Sequence, residues 1–219
     1  FASTSTNSDV TLRATLGSET GMVAPNHPPA IEASGLMKLQ IHESLFNSMF
    51  HQTLAGRDFD DLRQTLSVLG ISLNSAPGIL PGTQGVMGIT FSDDAPLMVK
   101  LGRSQTGASQ MELRISGTSY RFDEFRLSPM DFVVRFRLRG ASGQVLLERD
   151  GPVEVLPPPA GSSLRFIQQR QIISARLQGL FPETQTFHFR KLIADLIQLD
   201  YGDYIEPSSE DGWLNLTIL

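Results

Sequence analysis

The sequence predicts an α+β domain in which a curved antiparallel β-sheet meander packs around amphipathic helices. Between positions 86 and 156 apolar residues recur at every second position, the period of a half-buried strand. Phe132, Val134, Phe136 and Leu138, set against Arg135, Arg137 and Arg139, show it most plainly. On either side the period lengthens. Leu45, Phe46, Met49, Phe50 and Leu54 recur at three- and four-residue spacing, as do Phe166, Ile167, Ile173, Leu177, Leu180 and Phe181, and each set forms one apolar helical stripe. The strand-like segments are joined by short turns, which makes neighbouring strands antiparallel.

Residues 1–8 are small and polar and read as a disordered N-terminal segment, leaving 9–219 as a single α+β domain. Val10, Leu12 and Ala14 alternate with polar residues as a first strand, and 17–30, rich in Gly, Pro and Asn, reads as a loop. A strand over 36–41 runs into the first helix, capped by Ser44 and ended by Gly56. Asp58 is the expected cap of a second helix, with Phe59, Leu62, Leu66 and Leu69 as its buried stripe and Gly70 as its stop. After a Pro- and Gly-rich connection over 71–85, strands follow at Met87, Ile89 and Phe91, at Leu97, Val99 and Leu101, and at Met111, Leu113 and Ile115. The last continues through Tyr120 and Phe122, with a break of parity near Asp123-Glu124 that predicts a bulge. The stretch 140–143 is a hairpin turn, answered by Val145 and Leu147. Pro157-Pro158-Pro159 ends the sheet run, and Ser162 or Ser163 caps the third helix. Phe189, Leu192, Ile193, Leu196 and Ile197 fit another helix, with strand as the alternative for 196–201. A turn at Glu210-Asp211-Gly212 precedes a final strand carrying Leu214, Leu216 and Ile218. No repeat of fixed period is visible.

With 219 residues the chain can bury a core without help from metal or disulfide. Its lack of cysteine removes disulfide frameworks, thiolate nucleophiles and Cys-based metal sites together. A net charge of −5 argues against a broad nucleic-acid surface. No run approaches the roughly 20 apolar residues of a membrane-crossing helix, so no transmembrane segment is expected. The chain begins at Phe1, which reads as a processed or excised piece of something longer.

Templates for chemistry fail in turn. His42-Glu43 begins like a zinc-protease helix, but Phe46 stands where the second histidine is required. His27, His42, His51 and His188 form no pair four residues apart. There is no Gly-x-Ser-x-Gly elbow, no phosphate-cradling Gly-Lys loop and no dinucleotide fingerprint. No catalytic residue, metal or cofactor is therefore assigned. Asp60-Asp61, Asp93-Asp94 and Asp123-Glu124 would point to opposite faces on a strand and cannot form a dyad. Asp200, Asp203, Glu206, Glu210 and Asp211 offer oxygen for calcium but lack the helix-loop-helix spacing, and that reading stays open. Arg135, Arg137 and Arg139 share a face suited to phosphate. Glu112, Glu124, Glu148 and Asp150 come from neighbouring segments, so cross-strand ion pairing is the expectation. Phe132 and Phe136 face away from these arginines and cannot stack bases among them, which leaves no nucleic-acid partner. The sequon Asn215-Leu216-Thr217 falls in a strand and carries no weight.

The strand 36–41 leading into His42-Glu43-Ser44-Leu45-Phe46-Asn47-Ser48-Met49-Phe50 resembles the strand-to-helix junction of tubular lipid-binding domains, the TULIP or BPI-like fold. The meander 86–156 and the late helix 163–181 are similar to the curved sheet wrapped around a long helix in that family. The run Arg149-Asp150-Gly151-Pro152 through Val155 is similar to uncharacterised bacterial secreted proteins, which implies a secreted or cell-envelope setting. The resemblance implies a non-enzymatic module with an apolar groove that takes lipid or another apolar small molecule. Its lining would be Leu45, Met49 and Phe50 from the first helix, Phe132, Val134 and Phe136 from the sheet, and Ile173 and Leu177 from the third helix. Residues with this spacing also serve simply as core. The competing expectation is a structural or protein-interaction domain of a larger secreted protein, solid inside and with a protein partner. A third, an enzyme with dispersed residues, requires His42 or His188 beside a carboxylate and a serine.

Overall fold

The computed structural model describes residues 2–6, 9–13, 37–72, 87–122, 125–156, 170, 173, 174, 177–181, 183–187 and 204–218. Strands dominate. In chain order they are β1 (Ala2–Thr6), β2 (Asp9–Arg13), β3 (Met37–His42), β4 (Asp58–Phe59), β5 (Ile71–Ser72), β6 (Met87–Phe91), β7 (Leu97–Arg103), β8 (Ser109–Phe122), β9 (Phe125–Leu127), β10 (Met130–Ser142), β11 (Gln144–Arg149), β12 (Glu154–Val155), β13 (Thr184–Phe187), β14 (Tyr204–Glu210) and β15 (Trp213–Ile218). Helix α1 (Glu43–Leu54) follows β3, and α2 (Leu62–Val68) follows β4. Residues 170, 173, 174 and 177–180 are also helical.

The main sheet is antiparallel and open. Its path runs β3-β15-β14-β10-β11-β13-β5, and β8 branches from β10 to carry β7, β6 and β9. The centre is the β8–β10 pair, where Phe136 lies opposite Met111, Val134 opposite Leu113 and Phe132 opposite Ile115. All six are buried. Each such side chain contributes roughly 1.5–3 kcal/mol by leaving water, so this pair dominates the core. On its other face Arg135 stands opposite Glu112. The period-2 reading of this region is correct, and the chain returns through Gly143, at φ +66°, into β11 as expected.

The helices begin elsewhere than the sequence suggests. The cap of α1 is His42, whose side chain accepts from the Ser44 backbone N–H, so Ser44 is inside the helix. The cap of α2 is Asp61, not Asp58, because its carboxylate reaches the backbone of both Arg63 and Gln64. Asp58 and Phe59 instead pair as β4 with Thr90 and Ile89. Gly56 and Gly70 do follow the two helices in left-handed conformation, at φ +65° and +87°.

Asp123 and Glu124, where a bulge is expected, lie outside the described residues; the flanking Phe122 and Phe125 pair with each other. The irregularity is at Thr118: Thr90 faces Ser119 while Phe91 faces Gly117, leaving Thr118 unmatched. That extra residue moves the buried set from Met111, Leu113 and Ile115 to Tyr120 and Phe122. Gly117 permits it because the Tyr120 ring lies over the glycine, where a Cβ would come within 2.5 Å of the ring. The Tyr120 hydroxyl donates to the Met130 carbonyl at 2.7 Å.

Three other differences concern polar segments. The N-terminal residues expected to be disordered form β1, paired with β2 from Ala2↔Arg13 to Thr6↔Asp9. Thr4 and Thr6 are β-branched, and a hairpin needs backbone pairing more than apolar side chains. Glu206 and Glu210, weighed as calcium ligands, belong to strand β14 beside β15, an element the sequence does not announce. The short β13, also missed, pairs with β11. Residues Pro157 to Pro159, the start of the third helix, and Phe189 to Ile197 lie outside the described residues.

Candidate functional site

The eight residues expected to line a groove meet in one cluster. Phe50, Phe132, Val134, Phe136 and Leu177 are 0% exposed and Ile173 is 1% exposed, while Leu45 and Met49 are partly buried against the same cluster. The values matter because a side chain in the wall of a hollow presents surface to it. Ring contacts fill the centre: Phe132 lies 6.1 Å from Tyr120 and 6.0 Å from Phe181, centroid to centroid. Arg149 donates to the carbonyls of Gln178 and Phe181, Arg170 to that of Val155, and Ser174 to that of Val153. These bonds tie the helical residues to β11 and β12.

The arginine face is paired throughout. Arg135 reaches Glu112 and Glu154 at 2.8 Å each, Arg137 reaches Asp150 at 2.7 Å, and Arg139 reaches Glu148 at 2.9 Å. The partners sit directly across or one step diagonal on neighbouring strands, as antiparallel register dictates. Carboxylates already neutralise this stripe. Glu124 lies outside the described residues. Among the described residues no three His, Asp or Glu gather to hold a metal ion. Asp200 and Asp203 fall outside them, and Glu210 pairs with Arg103 at 3.4 Å.

The densest polar construction is the corner where β3 becomes α1. β7 pairs with β8 along one edge, and its other edge carries backbone groups that need partners. Asn47, 4% exposed, supplies two: its Nδ2 donates to the Val99 carbonyl at 3.0 Å, and its Oδ1 accepts from the Val99 N–H at 2.6 Å. Glu43 Oε2 accepts from the Leu101 N–H at 2.6 Å. The Gly212 N–H donates to the Leu101 carbonyl at 3.0 Å, and the Gly212 carbonyl accepts from the Glu43 N–H at 2.8 Å. Two side chains of a helix and the backbone of one turn thus stand where another strand would.

His42 anchors this corner. Its Nδ1 lies 2.9 Å from Ser44 Oγ and accepts from the Ser44 N–H at 3.1 Å, which assigns the proton to Nε2. Its ring meets Trp213 edge-on, at 4.9 Å and 67°. Burial holds the imidazole below its ordinary pKa, and the neighbouring Glu43 carboxylate opposes that shift. His42, Ser44 and Glu43 are the residue types of a hydrolytic triad, but the connectivity is different. A triad needs the serine on one ring nitrogen and the carboxylate on the other. Here Glu43 binds the Leu101 amide, and Nε2 lies against Gly212, 2.9 Å from where a Cβ would be.

The sequence reading missed Asn47, Gly212 and Trp213 as members of this corner. One signal was available. Position 47 shares a helical stripe with Phe50 and Leu54, and an amide on an apolar stripe must satisfy its donors and acceptor inside the protein. His27 and His188 lie outside the described residues. Among the described residues no helix is long and apolar enough to cross a membrane. No protein-family model, curated protein or solved structure matches the chain.

Proposed function

We propose that the chain is a non-catalytic structural or protein-interaction domain with a solid core. The observation that carries this reading is the complete burial of Phe50, Phe132, Val134, Phe136 and Leu177, the side chains best placed to line a groove. In this reading α1 and the helical residues 170, 173, 174 and 177–180 are plugs on the sheet's inner face rather than one wall of a tube. The full use of His42, Ser44 and Glu43 in capping and edge closure supports the non-catalytic part. The competing reading, lipid or another apolar small molecule held between helix and sheet, requires these side chains to part by at least the width of an acyl chain. That would open about 300 Å³ or more of interior.

Native mass spectrometry of the purified protein, with solvent extraction of the same sample, separates the two. The expected result is the bare mass of the chain and an extract free of stoichiometric lipid. An apolar adduct at one per chain that survives purification would overturn the proposal and favour the groove.

A further inference from the structure

We propose that His42 is an acid-sensitive latch holding the first turn of α1 against the open edge of β7. The proposal goes beyond the functional reading above and stands whichever way the lipid experiment falls.

The Leu101 amide is bonded only as long as Glu43 stays where the first turn of α1 places it. That placement is set immediately upstream. His42 accepts from the Ser44 N–H and so fixes where the helix begins. An imidazole does this only when neutral, because the accepting lone pair on Nδ1 is the one that takes up a proton. Protonation would turn Nδ1 toward the Ser44 N–H as donor against donor. It would also set a positive charge at the positive end of a 12-residue helix. Ser44 Oγ can accept from the protonated ring, but the Ser44 N–H then loses its cap.

The surroundings give the imidazolium little help. Glu43 is the one carboxylate acting on it, and Glu43 is committed to Leu101. On the elements packed around the ring, the other charged or titratable groups are His51 on α1, Glu210 and Asp211 at the β14–β15 turn, Lys38 on β3, and Lys100 and Arg103 on β7. Arg103 and Glu210 pair with each other, which leaves Asp211 against Lys38 and Lys100. The described part of β15 carries no charge, and its Trp213 covers one side of the ring. The simplest relief is for the ring to turn out to water, which frees Ser44, then Glu43, and leaves the Leu101 amide without its acceptor.

The direction with pH follows from burial. The folded chain binds this proton less readily than the unfolded chain, whose histidine titrates near 6.5. The latch is therefore fully closed above that value, and its contribution falls away as pH drops through and below it.

Trp213 is the only tryptophan in the chain, and protonated imidazole quenches indole emission, so the protein carries its own reporter. Emission is titrated from about pH 8 to about pH 5, while hydrogen exchange at the Val99 and Leu101 amides is followed by NMR. We expect a single-site loss of emission with its midpoint below 6.5. Exchange at Leu101, corrected for the intrinsic pH effect, should rise severalfold across the same range as the Glu43 carboxylate leaves its amide. His42→Asn keeps a capping oxygen that does not titrate and should abolish both changes. If it does not fold, His42→Asp serves the same purpose. Glu43→Gln keeps an acceptor for Leu101 and should retain the transition. Emission and exchange that stay flat across the range overturn the proposal. So does a transition that persists in His42→Asn or disappears in Glu43→Gln.

Discussion

Asn47→Ala offers the sharpest test of how the β7 edge is closed. Helix propensity says that alanine is the better residue by about 0.6 kcal/mol, and the apolar stripe of α1 would accept a methyl group. The structure gives the opposite sign. Removing the amide leaves the Val99 N–H and C=O without partners at a residue only 4% exposed. Each buried unpaired backbone group costs about 1–3 kcal/mol, so the pair costs about 2–6 kcal/mol before the propensity gain is subtracted. The net expectation is a loss of about 1.5–5.5 kcal/mol, a large share of the roughly 5–15 kcal/mol that holds a typical domain together. Urea unfolding followed by Trp213 emission and by circular dichroism reads it directly. The midpoint should fall with the slope unchanged, since the surface exposed on unfolding is nearly the same. An unchanged or raised midpoint would mean that the Val99 groups are served by water or another partner. The account of α1 as a stand-in strand would then be wrong.

Two further predictions concern the β8 bulge. Gly117→Ala places a Cβ about 2.5 Å from the Tyr120 ring and should lower stability by about 1–3 kcal/mol, read as a fall in the urea midpoint. Burial pushes the Tyr120 phenol far above its ordinary range, with Asp131 adding to the shift. One of the three tyrosines should therefore fail to ionise in an absorbance titration until the chain unfolds. Its contribution to stability is present below about pH 10 and is lost as pH rises above that. A full three-tyrosine titration with the protein still folded would contradict the hydrogen bond to Met130.

The legible part of this fold is the part where period and burial agree. In β10 four large apolar residues alternate with three arginines, and no other arrangement hides one set while wetting the other. β14 carries no such contrast. Of Glu206, Pro207, Ser208, Ser209 and Glu210, the residue buried deepest is Ser209, so a reading by hydropathy finds a loop. The two-residue strands β4, β5 and β12 are too short to have a period. At the α1 corner the stretch His42 to Phe50 could be singled out from sequence. Its purpose could not, because Val99 and Leu101 lie 52 and 58 residues from the side chains that bind them. Local rules named Ser44 as the cap, but the helix begins at Glu43 and the imidazole before it takes the Ser44 N–H.

The common thread is how a branched sheet completes its backbone hydrogen bonding. A strand ladder satisfies itself only where two strands run side by side, and this sheet forks along β10, which pairs with β8 from Met130 to Arg137 and with β14 at Ala141 and Ser142. Ser209, 1% exposed, sits at the fork: its hydroxyl donates to the Gly102 carbonyl at 2.6 Å and accepts from the Gln110 N–H at 3.0 Å, while its own N–H reaches Ser109 Oγ at 3.1 Å. Asn47 and Glu43 do the same along β7, and Tyr120 beside the bulge. These residues are the polar minority of an apolar interior, and hydrophobic burial would not suffer if they were leucine or phenylalanine. What would suffer is the uniqueness of the edge. With its backbone groups unpaired, β7 becomes a template for any passing strand, a second copy of the chain included. The polar core residues thus decide which strands this sheet accepts, and the apolar ones decide only that a sheet forms.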